Sequence, residues 1–411
     1  MGSSASAPAS VRENRTSLPQ WVAVGVLTLA TFLVVTSEML PVGVLTPMAD
    51  GLGIPGGAVG MSLTVTGLVS AVTAPVAPRV LGNLDRRKVL AAAMVVLAIG
   101  NAVTAMASDF GLMVVSRVLL GIGIGIVWGI ASAVATRLVA PRNIALAVSF
   151  AVSGVASASV LGVPLGTFVG NAFGWRLAFG SLSALALVIA LAILIALPTL
   201  RRPEANISAV EAVPRMSLLR PAVITGLMVV VLLVTAHFAA YTYVRPVLEN
   251  QTGFSANAIA LLLLLYGLFG LAGNFAAGAA AGRRPRLTVL LLAAGITVAI
   301  VILARFGTNA LAAGAAIALW GAAYGGVSVS AQLWMTTAAA DRVEHITGLY
   351  VGIFNGSIAL GAAVGGLMVE NSGILPMLWA TCALAFASLL VGLFGPRPTT
   401  GPVEEIKLTV R

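Results

Sequence analysis

Glu38, Arg117 and His237 are the residues of this 411-residue chain that invite chemistry, because each sits deep inside an apolar run. Glu38 precedes Met48, near the end of its run, by about ten residues, roughly 15 Å of helix. A carboxylate at that depth costs several kcal/mol unless it is protonated or paired. Such a group suits proton uptake on one side of a barrier and release on the other. The bland alternative is a neutral acid bonded to backbone. Arg117 follows Asp109, the start of its own run, at roughly 12 Å of depth. Depth therefore permits an interaction with Glu38, and the alternative is a structural arginine bonded to backbone carbonyls. His237 is of the type whose charge changes near neutral pH. It either donates to a substrate, joins a proton path, or is a satisfied core histidine.

Tyr241 and Arg245 follow His237 at helical spacing and share roughly one face with it. Tyr241 is expected at a central cavity. Arg245, nearer the end of its run, either snorkels or gates the cavity with an acid such as Asp50. Other polar or aromatic groups inside apolar runs are Trp128, Tyr266, Asn274, Tyr324, Gln332 and Asn355. Such residues face a bundle interior, by helix packing or by substrate contact. Trp128 lies three turns from Arg117 on nearly the same face, which makes it the favoured aromatic. His345 sits near the start of its run and reads as a solvated or helix-end residue.

The elements that position these groups follow from composition. Only 9% of residues are charged and 59% are hydrophobic. A soluble chain carries about 25% charged residues. The chain is therefore an integral membrane protein. Gly is abundant at 45, which suits closely packed helices. The alternating polarity of a membrane barrel is absent. Spans of roughly 20 apolar residues fall near 21–45, 59–81, 89–107, 110–135, 144–168 and 177–197. After a polar break, others fall near 223–247, 258–281, 287–304, 310–330, 346–369 and 375–394. The predicted fold is all-α: twelve transmembrane helices in two pseudo-symmetric six-helix bundles, 21–197 and 221–395. Residues 1–20 are expected to be a retained cytoplasmic tail, 198–220 a cytoplasmic linker and 396–411 a cytoplasmic tail.

The net charge of +10 would suggest nucleic acid in a soluble chain. Here the basic residues concentrate in tails and alternate loops, at Arg12, Arg15, Arg79, Arg86, Arg87, Lys88, Arg137, Arg142, the 201–220 stretch, Arg283, Arg284, Arg286, Arg342 and the C-terminal end. The exceptions are Arg117 within a span and Arg176, Arg245 and Arg305 at the opposite ends. The positive-inside rule then puts both termini in the cytoplasm. No nucleic-acid partner is implied.

An internal repeat at an offset of 199 supports two halves. Pro47 and Asp50 match Pro246 and Glu249; Arg87 matches Arg286; Gly162, Gly166 and Gly174 match Gly361, Gly365 and Gly373. The same offset carries Glu38 onto His237. Parallel six-helix halves characterise one large transporter fold.

Local motifs carry a resemblance. Span 1 reads Thr36-Ser37-Glu38-Met39-Leu40-Pro41-Val42-Gly43; span 4 reads Arg117-Val118-Leu119-Leu120-Gly121-Ile122-Gly123; span 5 carries Gly154 and Gly162-Val163-Pro164-Leu165-Gly166. The chain resembles the major facilitator superfamily over about 20–395, and within it the bacterial twelve-span drug:proton antiporters. That branch includes chloramphenicol, multidrug, sugar and purine exporters. The family's loop motif between spans 2 and 3 is altered: Gly82 stands at the acidic position, and the acid, Asp85, lies three residues on, before Arg86, Arg87 and Lys88. The resemblance implies that the Gly/Pro stretch of span 5 seals one end of the cavity and suppresses proton leak. The matching Gly361, Gly365 and Gly366 predict a related contact by span 11.

No phosphate-binding G-x-x-x-x-G-K-[ST] motif occurs, so an ATP-driven pump is not expected. No His/Cys cluster has metal spacing, and Gly121, Gly123 and Gly125 lie inside a span rather than after a strand. Cys382 has no intrachain partner. The expectation is a monomeric secondary transporter of a bacterial inner membrane, not an enzyme. It needs no cofactor beyond the coupling proton and exports a small organic compound by alternating access. The alternatives are an importer or uniporter on the same fold, or a non-transporting membrane sensor.

Overall fold

In a computed structural model, residues 16–82, 84–200, 220–339 and 343–396 are described. The linker 201–219, the tails, and the side chains of Arg79 and His345 lie outside the described residues. Among the described residues, twelve helices are long and apolar enough to cross a membrane. They are α1 Leu18–Leu52, α2 Gly56–Val80, α3 Arg86–Met106, α4 Phe110–Leu138, α5 (Ile144–Ser157 and Val163–Phe173 joined through a π-helical turn) and α6 Trp175–Ala196. The second half has α7 (Pro221–Tyr241, then Val244–Val247), α8 Ala256–Ala281, α9 Pro285–Phe306, α10 (Ala310–Gly325, then Val327–Ala338), α11 Val343–Ser372 and α12 Ile374–Phe394. Among the described residues there is no strand.

Helix ends are set by local chemistry. Asp85, Asp109, Ser255 and Asn309 cap α3, α4, α8 and α10 by accepting backbone N–H groups. The Leu112 N–H and the Ser108 hydroxyl hold the Asp109 carboxyl below the usual carboxylate range. Gly53, Gly174, Gly253 and Gly373 take positive φ at the turns of one face of the molecule, here called the far face. The described chain ends, Thr16 and Pro396, lie on the opposite face, here called the terminal face.

The repeat is visible in individual contacts. Arg87 donates to the Leu194 carbonyl at 3.3 Å, and Arg286 donates to the Leu393 carbonyl at 3.3 Å. Each contact is displaced by 199 residues from the other. In α1 the helix breaks at Val44 (φ −119°, ψ 21°), and in α7 it breaks at Tyr243 (φ −107°, ψ 17°). A proline follows each break, Pro47 and Pro246, where the ring removes an N–H and crowds the preceding turn.

Small residues bring the helices together. A Cβ on Gly166 would fall 2.7 Å from Leu40 Cδ1, and one on Gly162 would collide with Thr36. A Cβ on Gly154 would meet the Thr28 carbonyl at 2.5 Å. The span 5 glycines therefore seat α5 against α1 within one half. Pro164 follows the π-helical turn Ala158–Gly162, where the widened backbone accommodates a residue without N–H. The span 11 glycines behave alike: Gly361 and Gly365 press on Thr235, Phe238 and Ala239 of α7. Gly366 instead meets Tyr243 and the Gly57 carbonyl of the first half.

The altered loop motif has a defined structure. Asp85 accepts from the N–H groups of Arg87 (3.1 Å) and Leu200 (2.9 Å), and its carboxylate lies 3.8 Å from the Arg87 guanidinium. Arg86 donates to the Gly82 carbonyl. The displaced acid thus caps α3 and ties it to the chain leaving α6.

Candidate functional site

Hydrogen bonds between described residues of the two halves lie toward the far face. Asn171 of α5 donates to the Ala256 carbonyl at 2.9 Å and Thr64 donates to the Ala359 carbonyl at 3.0 Å, while the single Tyr243 hydroxyl hydrogen is shared between the Gly57 carbonyl across the seam (3.2 Å) and the Ala362 carbonyl of its own half (3.0 Å). Arg245 is 4% exposed. It donates to Glu249 at 2.8 Å, to the Gly43 carbonyl at 2.5 Å and to Asn171 Oδ1 at 3.0 Å. Thr46 donates to the other Glu249 oxygen. Arg245 does not snorkel, and Asp50, one acid offered as its gate partner, is exposed. The acid in use is Glu249, its counterpart in the repeat, because it stands one turn after Arg245 on the same helix. The space between the halves is thus closed at the far face.

Glu38 is half-buried on α1. Its neighbour Ser37 faces the other way and accepts from Asn101 of α3 at 3.0 Å. Among the described residues Glu38 makes no hydrogen bond or ion pair, and Tyr324 of the opposite half lies within its electrostatic reach.

Arg117 does not pair with Glu38 in this state. It is fully buried, its guanidinium stands 5.3 Å from the Phe179 ring of α6, and none of its nitrogens has a hydrogen-bond partner. The described contact of its guanidinium is with α6, through Phe179, and no ion pair with Glu38 forms. A cation–π contact offsets only part of the cost of burying a charge.

His237 is the centre of an aromatic row. Its ring stacks on Tyr324 (3.3 Å between centroids, 5° between planes) and on Tyr241 (5.0 Å, 18°), and Tyr241 stacks on Tyr266 (4.7 Å, 28°). Trp320 stands edge-on to the row, at 81° to His237 and 86° to Tyr266. The Trp320 indole N–H donates to His237 Nδ1 at 3.0 Å. Tyr266 Oη is buried without a partner. The row comes from α7, α8 and α10, with His237/Tyr241 and Trp320/Tyr324 each one helical turn apart.

Of the other candidates, Trp128, Asn274, Gln332 and Asn355 are half-buried. Among the described residues none of them joins the row, and Trp128, the aromatic favoured from sequence, stands apart from it. Trp320 is absent from the candidates that sequence alone offers. Its signal was available as a Trp–Tyr pair at i, i+4 on α10, matching the His–Tyr pair on α7. Among the described residues no three His, Cys, Asp or Glu side chains converge as a metal site.

Two helical bundles closed at one face, with an acid on one side and a ring row on the other, define a membrane transporter rather than an enzyme. Comparison with known proteins agrees. The sequence model of the Major Facilitator Superfamily matches residues 27–355. The purine ribonucleoside efflux pump NepI of Salmonella paratyphi A is 30% identical over 385 residues, covering 92% of this chain and 95% of that protein. The pump of the same name from Shigella sonnei is 29% identical, covering 91% and 94%. Among solved structures, a D-xylose–proton symporter superposes with a TM-score of 0.75 at 14% identity, covering 92% of this chain and 98% of that one. A bacterial homologue of the lysosomal transporter Spinster, in an inward-facing unoccupied conformation, gives 0.69 at 15% identity, covering 92% and 96%. The chain belongs to the major facilitator superfamily.

Proposed function

We propose that this transporter exports a purine ribonucleoside, or a compound with a similar flat heterocycle, in exchange for protons across a bacterial inner membrane. The observation that carries the reading is the row of parallel rings around His237. Stacking a base on an aromatic ring contributes about 1–3 kcal/mol and requires a flat ligand. The name of the relatives supports the same chemistry. Both termini lie in the cytoplasm on the positive-inside argument, so the state closed at the far face is inward-facing.

The cycle follows from where the groups sit. With the cavity open outward, Glu38 takes up a proton, and a neutral acid no longer opposes closure of the halves around it. In the inward state, ligand stacking beside Tyr324 brings it to the wall that faces Glu38. Loss of the Glu38 proton to the cytoplasm then resets the loaded carrier. Arg117 provides a buried positive charge in the same half, free to accept a carboxylate or carbonyl partner in another state. The α5 glycines and Asp85, Arg86 and Arg87 hold the first half together as it rocks. The carrier is expected to work as a monomer.

Purified protein in vesicles tests this with a radiolabelled purine ribonucleoside. An imposed proton gradient is expected to drive accumulation against the proton flow. Glu38→Gln is expected to retain ligand binding and to lose gradient-driven movement. Retained coupling in that variant would remove Glu38 as the proton carrier. Movement with the proton flow would make the protein an importer.

A further inference from the structure

The hydrogen bond between Trp320 and His237 fixes more than position. An indole N–H is a donor only, so Nδ1 of His237 must present a lone pair to it. In a neutral imidazole the hydrogen then resides on Nε2. We infer that His237 carries no transported proton: Trp320 is a positioning residue that locks His237 as the Nε2–H tautomer, a constant donor to a ring nitrogen or carbonyl oxygen of the ligand.

The surroundings argue the same way. Protonating His237 would place a hydrogen on Nδ1 against the Trp320 N–H at 3.0 Å, and one buried donor would lose its partner. Among the described residues nothing nearby compensates. On its own helix the neighbour is Tyr241, and α8 and α10 contribute the neutral phenols of Tyr266 and Tyr324. From α11, Tyr350 acts on Tyr324 rather than on His237, and Glu38 of α1 also acts on Tyr324. The one titratable side chain of α12 is Cys382. Among the described residues no carboxylate bonds to His237. The two positions related by the repeat have therefore divided the work: Glu38 exchanges protons, and His237 recognises an acceptor.

The acceptor must lie near the plane of the imidazole, because Nε2–H points along it. A purine offers such acceptors at its ring edge, as N7 and, in guanine and hypoxanthine, O6. Only this ligand assignment rests on the proposed export of a purine ribonucleoside. The tautomer itself does not.

The chain has two histidines, which makes a direct test practical. Protein labelled with 15N-histidine, carrying His345→Gln to leave one signal, is examined by NMR from about pH 5.5 to about pH 8.5, the range in which a free imidazole titrates. The expected result is an unprotonated Nδ1 and a protonated Nε2 throughout. Appearance of the imidazolium, or of hydrogen on Nδ1, overturns the inference. Trp320→Phe removes the lock and is expected to give mixed tautomers and a titration within the same range. An unchanged single tautomer in that variant also overturns it. His237→Gln keeps an acceptor and a donor but cannot become an imidazolium. Gradient-driven transport is expected to persist in it, with binding weaker by about five-fold (about 1 kcal/mol), because the flexible amide no longer holds the donor in the ring's place. Loss of coupling alone in His237→Gln would make His237 a proton carrier. Failure of every transport assay with the NMR result intact would instead count against the export reading.

Discussion

Arg245 of the second half donates to the carbonyl of Gly43 in the first half at 2.5 Å. That carbonyl is available because the residue four positions on is Pro47, which has no N–H to return to it. One helix break thus supplies the acceptor for the opposite bundle. The Arg245–Glu249 pair, Thr46 and Asn171 complete the closure.

Opening this contact is expected to move the resting state. Glu249→Gln removes the carboxylate that orients Arg245, and a hydrogen bond to a charged group is worth about 1.5–3 kcal/mol. A change of about 2 kcal/mol is a roughly thirty-fold shift between states. Spin labels at the exposed far-face positions Asp50 and Asn250, in a Cys382→Ala background, are expected to report longer distances in Glu249→Gln than in the parent. An unchanged distance distribution would show that the pair does not hold the far face closed.

Arg117 separates stability from function. Its charge is buried and its nitrogens have no acceptor in this state, so Arg117→Met removes a desolvated charge and keeps the packing volume. Thermal unfolding is expected at an equal or higher temperature than in the parent, while gradient-driven transport falls at least ten-fold. A clear loss of thermal stability would mean that Phe179 alone is a sufficient partner for the guanidinium.

The Tyr266 hydroxyl is a buried group without a partner. Deleting it in Tyr266→Phe costs the folded state nothing, because no intramolecular bond is lost. Purine ribonucleoside affinity, measured by calorimetry, is expected to fall by about five-fold, which corresponds to about 1 kcal/mol. Equal affinity in both proteins would show that the hydroxyl does not meet the ligand.

Much of the fold was legible because lipid leaves few options. Span positions followed from apolar length, and they agree with the helices to within a few residues except where α1 and α10 extend well beyond their apolar runs. Glu38 and His237 stood out because charge or polarity at that depth is costly. Trp320 and Tyr324 did not, since an aromatic residue in an apolar run carries no such cost. Their grouping depends on how α7, α8 and α10 are rotated about their axes, and helical periodicity says little about rotation when all faces are apolar.

Residue order alone is enough for the membrane location and the spans, because both follow from transfer of side chains and backbone into hydrocarbon, and for the two-half repeat, which is read from matched residues 199 positions apart. Which of the possible partners meet is a matter of packing. Depth placed Arg117 level with Glu38, yet helix rotation turned it toward Phe179. Spacing offered Asp50 to Arg245, yet the chain itself brought Glu249 within 2.8 Å. Hydrogen bonds and ring stacking fall off within a few ångströms and depend on direction, so positions along a chain name the candidates and packing selects among them.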